Sequence, residues 1–242
     1  MLVGSMRKIV AILILVSCNL VSFSQEKKPE NLPRFDGRKY HFGFILSFNS
    51  ATYYVNFKNG AGITDSINNI LLKRQPGFDL NIVGSFNPTP NINFRFTPGL
   101  AFQERQLEYT ILKKDTSTKI YLKRIESTYL NFPFYLKLRT NRINNFAAYA
   151  IGGAYYGIDM ANNKDLENNG SLEQLTVKTT KTDWGYSAGG GFDFFLPYFK
   201  FGIELKYNVG MKNIFKQDNT FFANPIESIR TGSWVFSLTF EG

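Results

Sequence analysis

The stretch Tyr198–Met211 reads Tyr-Phe-Lys-Phe-Gly-Ile-Glu-Leu-Lys-Tyr-Asn-Val-Gly-Met and alternates between two faces. Successive side chains of a β-strand point to opposite faces, so the pattern predicts a long strand with one apolar and one polar or small face. Its length suits the roughly 9–11 residues with which a tilted strand crosses a bilayer. A transmembrane barrel would turn the apolar face to lipid, whereas a soluble sandwich or lipocalin-like barrel would turn it inward. This stretch alone leaves both open.

The composition of the whole chain favours the membrane barrel. Its 242 residues include 24 phenylalanines and 13 tyrosines, yet beyond the N-terminal segment there is no apolar run of 18 residues. Membrane helices are therefore not predicted, and high aromatic content with a negative mean hydropathy is typical of a membrane barrel. The net charge of +9 is scattered without a Lys/Arg run, so we expect anionic lipid head groups as its counterpart and no nucleic-acid partner.

The N-terminus has the pattern of a secretory signal peptide, residues 1–24. Met6-Arg7-Lys8 precede an apolar run, and small residues before Gln25 suit signal peptidase. An alternative is a lipobox ending at Cys18, which would then be lipidated. If the signal peptide is removed, Cys18 leaves with it, and the exported chain has no disulfide or thiol chemistry. Residues 25–39 are predicted to be a short, extended periplasmic lead-in to a barrel of residues 40–242.

Seven other segments are also predicted to be strands, which gives eight in all. Six of the seven alternate clearly, whereas residues 146–158 are so rich in glycine and alanine that their inward and outward faces are ambiguous. Proline cannot donate to a ladder, so Pro98-Gly99 is expected to form a bulge or bend within the third strand. The eight segments lie near residues 40–49, 78–86, 92–102, 130–138, 146–158, 184–194, 198–211 and 233–240.

The connections between these strands alternate in length. Turns 2–3, 4–5 and 6–7 are short, whereas residues 58–75, 113–119, 161–180 and 213–227 are predicted to be long loops. Outer-membrane barrels have short periplasmic turns, longer external loops and both termini on the periplasmic side. We therefore predict an all-β fold, an eight-stranded antiparallel transmembrane up-and-down β-barrel in the outer membrane.

Six charged residues occupy strand positions whose side chains are predicted to point into the lumen, because they alternate with the apolar, outward-facing positions. An eight-stranded barrel is only wide enough to be filled by side chains, so charges inside it must pair or bind water. We expect a structural salt-bridge network that blocks the lumen; the alternative is a narrow ion or proton path. The six residues are Asp79, Arg95, Lys137, Asp193, Glu204 and Lys206.

Catalytic and cofactor signals are weak. His41 is the only histidine, which excludes a multi-histidine metal site and leaves one candidate base for a Ser/His hydrolase, inward-facing at the periplasmic end. The triplet Gly189–Gly191 lacks the Gly-Lys-Ser/Thr of a phosphate-binding loop and lies within a strand. With Gly152-Gly153, it is predicted to allow the sharp curvature of a small barrel. We expect no enzyme activity, no cofactor and no metal.

Four strings in the chain resemble one family. They are residues 76–83 (PGFDLNIV), 93–102 (NFRFTPGLAF), 126–133 (ESTYLNFP) and 191–201 (GFDFFLPYFKF). In combination they resemble PorT-type outer-membrane proteins of the type IX secretion and gliding machinery of Bacteroidota, over nearly all of the chain after Arg34. The resemblance implies a non-enzymatic accessory component that assists the translocon, with other type IX components as partners and no catalytic residues. It also implies a role in gliding where gliding is present.

An alternative function remains open at this point. Loops on a rigid scaffold often carry recognition, and residues 166–177 form a loop long enough to make a binding surface. The chain could then be a general outer-membrane barrel that binds a small ligand or a surface partner through its external loops.

Overall fold

The computed structural model describes residues 29–58, 67–112, 118–162, 175, 177–218 and 220–242. In this part of the chain, no helix is long and apolar enough to cross a membrane. The described residues form nine antiparallel strands: β1 (Tyr40–Phe57), β2 (Ile67–Phe86), β3 (Ile92–Phe96), β4 (Gly99–Leu112), β5 (Thr118–Arg139), β6 (Phe146–Asp159), β7 (Thr182–Phe195), β8 (Lys200–Gly210) and β9 (Ile226–Glu241).

The nine strands close into a ring with eight positions. Strand β1 pairs with β2 on one side and with β9 on the other, which closes the sheet. Strands β3 and β4 both lie between β2 and β5 and share one position. Pro98 separates them because it has no N–H to donate, although its carbonyl still accepts a hydrogen bond from the Ile82 N–H at 3.0 Å. The predicted eight-position antiparallel barrel, with its interruption at Pro98-Gly99, is confirmed.

The apolar face of the strands lies on the outside of the ring. On β1 the five outward side chains from Tyr40 to Phe48 are 41% to 69% exposed, and aromatic rings stack across neighbouring strands, as in Phe44–Phe240 at 4.8 Å. On β8, Leu205 faces out, while Glu204 and Lys206 are buried inside. A soluble barrel would bury the apolar face and expose the charges. The observed arrangement is that of a barrel whose outer surface contacts lipid.

The strands extend further than predicted at one end of the barrel. We call this the long-loop end, where β1–β2, β4–β5, β6–β7 and β8–β9 connect, and the opposite end the short-turn end. Residues 67–75, predicted to be loop, form the first part of β2, and β5 begins at Thr118 rather than near Leu130. We call the band of exposed apolar side chains around the ring the apolar belt. Beyond it the outer face carries Lys73 and Arg124, whose side chains are exposed, so apolar and polar residues no longer alternate there although the strands remain paired.

The segment before β1 also differs from its prediction. Residues 29–39 were expected to be extended, but the chain makes turns here, with hydrogen bonds from Phe35 N–H to Leu32 C=O and from Arg38 N–H to Phe35 C=O. Phe35 is 4% exposed and packs with Phe195 and Ala147 at the short-turn end. An apolar residue within a polar stretch can thus be an anchor. The predicted signal peptide, with Cys18, and most of the predicted loop 161–180 lie outside the described residues.

The outer belt predicts where a charge is tolerated. Ile82 is 65% exposed and pairs with Phe44, which is the middle one of the five outward side chains on β1. Ile82→Arg should disfavour membrane insertion by about 2–4 kcal/mol, because the guanidinium would lie near the bilayer midplane. The measurement is a urea titration of folding into lipid vesicles.

Leu122→Arg is the matched control for this substitution. Leu122 is 49% exposed, and its neighbour across the ladder is Glu108, outside the apolar belt. This variant should insert as well as the parent chain does. Equal losses for both variants would show that the belt has been placed wrongly.

Candidate functional site in the barrel lumen

The lumen contains a connected set of buried ion pairs, which we call the ion network. Arg95 is its centre: its guanidinium donates through Nη1 to Glu204 at 3.2 Å and through Nη2 to Glu241 at 2.6 Å. Glu204 also contacts the Lys206 ammonium and accepts a hydrogen bond from the Tyr149 hydroxyl at 2.9 Å. These interactions join charges from β3, β8 and β9 across the interior.

The ion network continues toward the short-turn end. Lys200 Nζ lies 2.9 Å from Glu241 and 3.9 Å from Asp193, and Lys137 Nζ donates to Asp193 at 2.8 Å. The network therefore contains four cations and three anions, with every side chain at most 7% exposed. Burying an unpaired charge costs several kcal/mol. Because a displaced side chain would leave its partner unpaired, each member of the network constrains the position of the next.

Two glycines predicted to allow curvature face this network. A Cβ on Gly189 would lie 2.1 Å from the Leu205 carbonyl oxygen, and a Cβ on Gly191 would lie 2.3 Å from the Ile203 carbonyl oxygen. Both positions therefore require glycine because the backbone of β8 approaches so closely. The same Cβ atoms would also crowd Lys206 and the Tyr149 hydroxyl, which hold Glu204.

A second set of contacts closes the short-turn end, and we call residues 31–38 the base plug. Asp36 accepts from Arg139 Nη2 at 2.7 Å, and Asn31 donates to the Phe195 carbonyl at 2.9 Å. Phe35 stacks on the ring of His41 at 3.8 Å. His41 is fully buried, with Nε2 3.1 Å from the Arg38 carbonyl, and therefore packs against the plug instead of facing an open site.

The long-loop end of the lumen is filled by apolar side chains, which we call the cap core. The segment between β8 and β9 folds inward, where Phe222 packs on Tyr109 with ring centroids 4.8 Å apart. The buried members are Tyr53, Leu107, Tyr109, Ile111, Ile125, Val177, Ile214, Phe215, Phe222, Ala223, Ile226 and Ile229. Five described residues of the predicted loop 213–227 are therefore part of the interior: Ile214, Phe215, Phe222, Ala223 and Ile226.

The six sequence-predicted lumen charges are all buried, but they are not all joined. Arg95, Lys137, Asp193, Glu204 and Lys206 belong to the ion network. Asp79 lies apart: its Oδ1 accepts a hydrogen bond from Asn49 Nδ2 at 2.6 Å, and it has no ion-pair partner in the described part of the chain. Asp79 lines a polar cavity of about 60 Å³ between the ion network and the cap core.

Sequence reasoning missed several interior charges. Lys200 and Glu241 complete the ion network, and Arg105, Asp159 and Asp183 are buried nearer the long-loop end. The alternation of side chains along a strand could have identified two of these residues, because residues two apart share a face. Glu241 lies two residues beyond the inward Thr239, and Arg105 lies two residues beyond the inward Gln103.

The lumen's chemistry is that of paired charges and hydroxyl groups. Within the described ranges, no group of three or more histidine, cysteine, aspartate or glutamate side chains is arranged to hold a metal ion. Each carboxylate of the ion network is engaged by at least one cation. This arrangement suits structural support of the barrel wall.

Comparison with solved structures returns small barrels of outer membranes. OprG from Pseudomonas aeruginosa is 12% identical, with a TM-score of 0.47, over 84% of this chain and 94% of that chain. Ail of Yersinia pestis is 13% identical, with a TM-score of 0.41, over 85% and 100%. AlkL is 14% identical, with a TM-score of 0.41, over 91% and 94%. Such remote likeness says nothing about what this barrel binds.

The sequence itself was compared with known families and proteins. No curated protein matches it. Residues 23–216, most of the chain, match the family described as outer membrane protein beta-barrel domain. The match agrees with the closed antiparallel ring and with the apolar belt on its outer surface. The chain therefore belongs to the outer membrane protein beta-barrel domain family, whose members lie in the lipid of the outer membrane.

Proposed function

We propose that this protein is a non-enzymatic, non-conducting barrel that serves the type IX secretion apparatus as an accessory component. The observation that carries the non-conducting part is the filled lumen: the base plug, the ion network and the cap core follow one another along the axis. A polypeptide does not fit through an eight-position barrel filled by side chains. The protein would assist the translocon instead of forming the conduit.

The type IX assignment rests on the resemblance of four strings to PorT-type proteins. Three of these strings lie in strands that surround the ion network: residues 93–102 include Arg95, residues 191–201 include Asp193 and Lys200, and residues 76–83 include Asp79. Family likeness thus coincides with the strands of the barrel more than with its long loops. This placement supports a role in which a rigid barrel is itself the required part.

The proposed orientation places the short-turn end and both termini in the periplasm. Short periplasmic turns and longer external connections are the rule for outer-membrane barrels. The base plug would then face the periplasm, and the cap core would stand outside the apolar belt on the opposite side. We propose that residues 1–24 are the export signal that brings the chain there.

A second candidate function is recognition of a surface partner through the long-loop end. The observation that favours it is the order of this region, where Phe222 and Ile214 are fully buried and Tyr109 donates to the Phe222 carbonyl at 3.2 Å. A preorganised surface loses less entropy on binding than a mobile loop. The predicted recognition loop 166–177 lies largely outside the described residues.

The first prediction from this proposal concerns the ion network. Glu204→Ala should lower the free energy of unfolding by roughly 3–5 kcal/mol, because Arg95 and Lys206 lose a buried anion. Thr239→Ala is the control: Thr239 is equally buried, and its hydroxyl has no hydrogen-bond partner, so its loss should cost little. Urea titrations in lipid vesicles measure both. Equal stabilities for the two variants would mean that the network contributes nothing measurable.

The second prediction concerns conduction. Purified protein in planar bilayers should show no stable open channel, because the three filled levels leave no continuous aqueous path. A general porin in the same lipid is the positive control for the assay. A steady conductance of the order of nanosiemens from this barrel would overturn the plugged lumen.

The third prediction concerns the cell. Deleting the gene should retain type IX cargo inside the cell and, in a gliding species, abolish spreading; a plasmid copy should restore both. Normal secretion in the deletion strain would refute the accessory role. Affinity purification from the native membrane then separates the two candidate functions, because recovery of a surface ligand without secretion components would favour recognition.

A further inference from the structure

The cavity between the ion network and the cap core has chemically distinct walls. Its volume is about 60 Å³, and Arg105 of β4 lines it together with Asp183 of β7 and Asn208 of β8. In the ring order, β7 and β8 lie across the barrel from β4. A buried cation and a buried anion therefore face the same space from opposite sides.

Arg105 is a buried guanidinium that lacks an anionic partner. It is 2% exposed and rests against the rings of Tyr53 and Tyr129, with Cζ 4.9 and 5.7 Å from their centroids. Nη2 donates to the Gln103 side chain, and the Tyr53 hydroxyl lies near the guanidinium, whereas Nε and Nη1 meet no acceptor in good hydrogen-bond geometry. In the described part of the chain, no carboxylate lies within ion-pair distance of it. An unpaired buried charge is costly, so these N–H groups favour an anion in the cavity.

The opposite wall presents acceptors. Asp183 is 3% exposed; its Oδ2 accepts from the Thr231 hydroxyl at 2.6 Å, and its Oδ1 has no partner. Beside it, Asn208 donates to Ser233 at 3.2 Å, and its Oδ1 also has no partner. Two unpaired oxygens, one of them on a carboxylate, favour a cationic group that carries several N–H donors.

The charges set the ligand class and the volume sets its size. Lys206 also lines the cavity but is already paired with Glu204, so Arg105 is the cation left for an incoming carboxylate. A site of about 60 Å³ holds about four to six water-sized groups. We propose that the lumen cavity binds a small zwitterion, its carboxylate on Arg105 and its ammonium on Asp183 and Asn208. This proposal is independent of any role in secretion.

Glycine is the probe, because it has the required charges and about the permitted size. Purified protein is refolded into lipid vesicles with radiolabelled glycine present, so that closed lumen ends do not prevent entry, and is then brought to equilibrium by dialysis. Saturable binding of one glycine per barrel is expected. Acetate and methylammonium, each carrying half of the charge pattern, should compete at least tenfold more weakly than unlabelled glycine.

Substitutions separate this site from general charge effects. Arg105→Gln and Asp183→Asn should each weaken glycine binding by about tenfold to a hundredfold, as expected for loss of a charge-assisted hydrogen bond. Arg124→Gln is the matched control, since Arg124 is on the outer surface, 3.6 Å from Glu104. This control should bind glycine as the parent chain does.

If Arg105→Gln fails to fold, Asn208→Leu decides the matter, because leucine fills space in the cavity and removes an unpaired buried oxygen. It should fold and lose glycine binding. Three results would overturn the proposal: absence of saturable binding, binding unchanged in the folded cavity variants, or acetate binding as tightly as glycine. The last would identify a simple anion site, and the first would leave water as the cavity's occupant.

Discussion

Closure of the backbone ladder between β1 and β9 is the constraint on which this structure depends. Lipid offers no hydrogen-bond partner to an N–H or C=O group, so strands can cross a bilayer only in a sheet without an open edge. Pairing from Gly43 to Phe57 along β9 supplies that closure and brings the two ends of the barrel's chain together. A Cβ on Gly43 would lie 1.9 Å from the Phe240 carbonyl, so the close approach at this seam requires glycine.

Closure with eight positions determines the character of the interior. Inward side chains of such a narrow barrel meet across the lumen, and the charged ones are therefore removed from water together. Arg95 satisfies two carboxylates with one planar guanidinium, whereas a lysine would offer only a point charge. Paired in this way, the charges hold opposite walls of the ring. Without these pairs, the same residues would be a source of instability.

Different interactions fill the two ends of the barrel. At the short-turn end, a short segment preceding β1 inserts Phe35 and anchors Asp36 on Arg139. At the long-loop end, the chain between β8 and β9 builds an apolar core beyond the belt, as in a small soluble domain. Between them lies the polar cavity, where Arg105 and Asp183 are buried and each keeps polar atoms without a hydrogen-bond partner. The function that we propose uses the filled ends and the network, and the cavity is a separate feature.

The sequence by itself determined the period of the strands, and hence which side chains face lipid and which face the lumen. Strict alternation around Glu204 and Lys206 is a local property, since neighbouring side chains of a strand must point to opposite faces. The inward positions of Asp79 and Arg95 followed from that phase. The strand ends beyond the apolar belt could not be predicted in this way, because outside lipid the outer face no longer needs to be apolar.

Only the tertiary structure decided which inward charges meet. Glu241 and Arg95 are 146 residues apart in sequence, and their contact depends on strand register and ring closure, which no local pattern specifies. The same holds for Phe35, whose place beneath the lumen requires a turn in a stretch that reads as extended. The alternation along a strand determines which face a side chain occupies. Its partner across the barrel depends on the register in which the sheet closes.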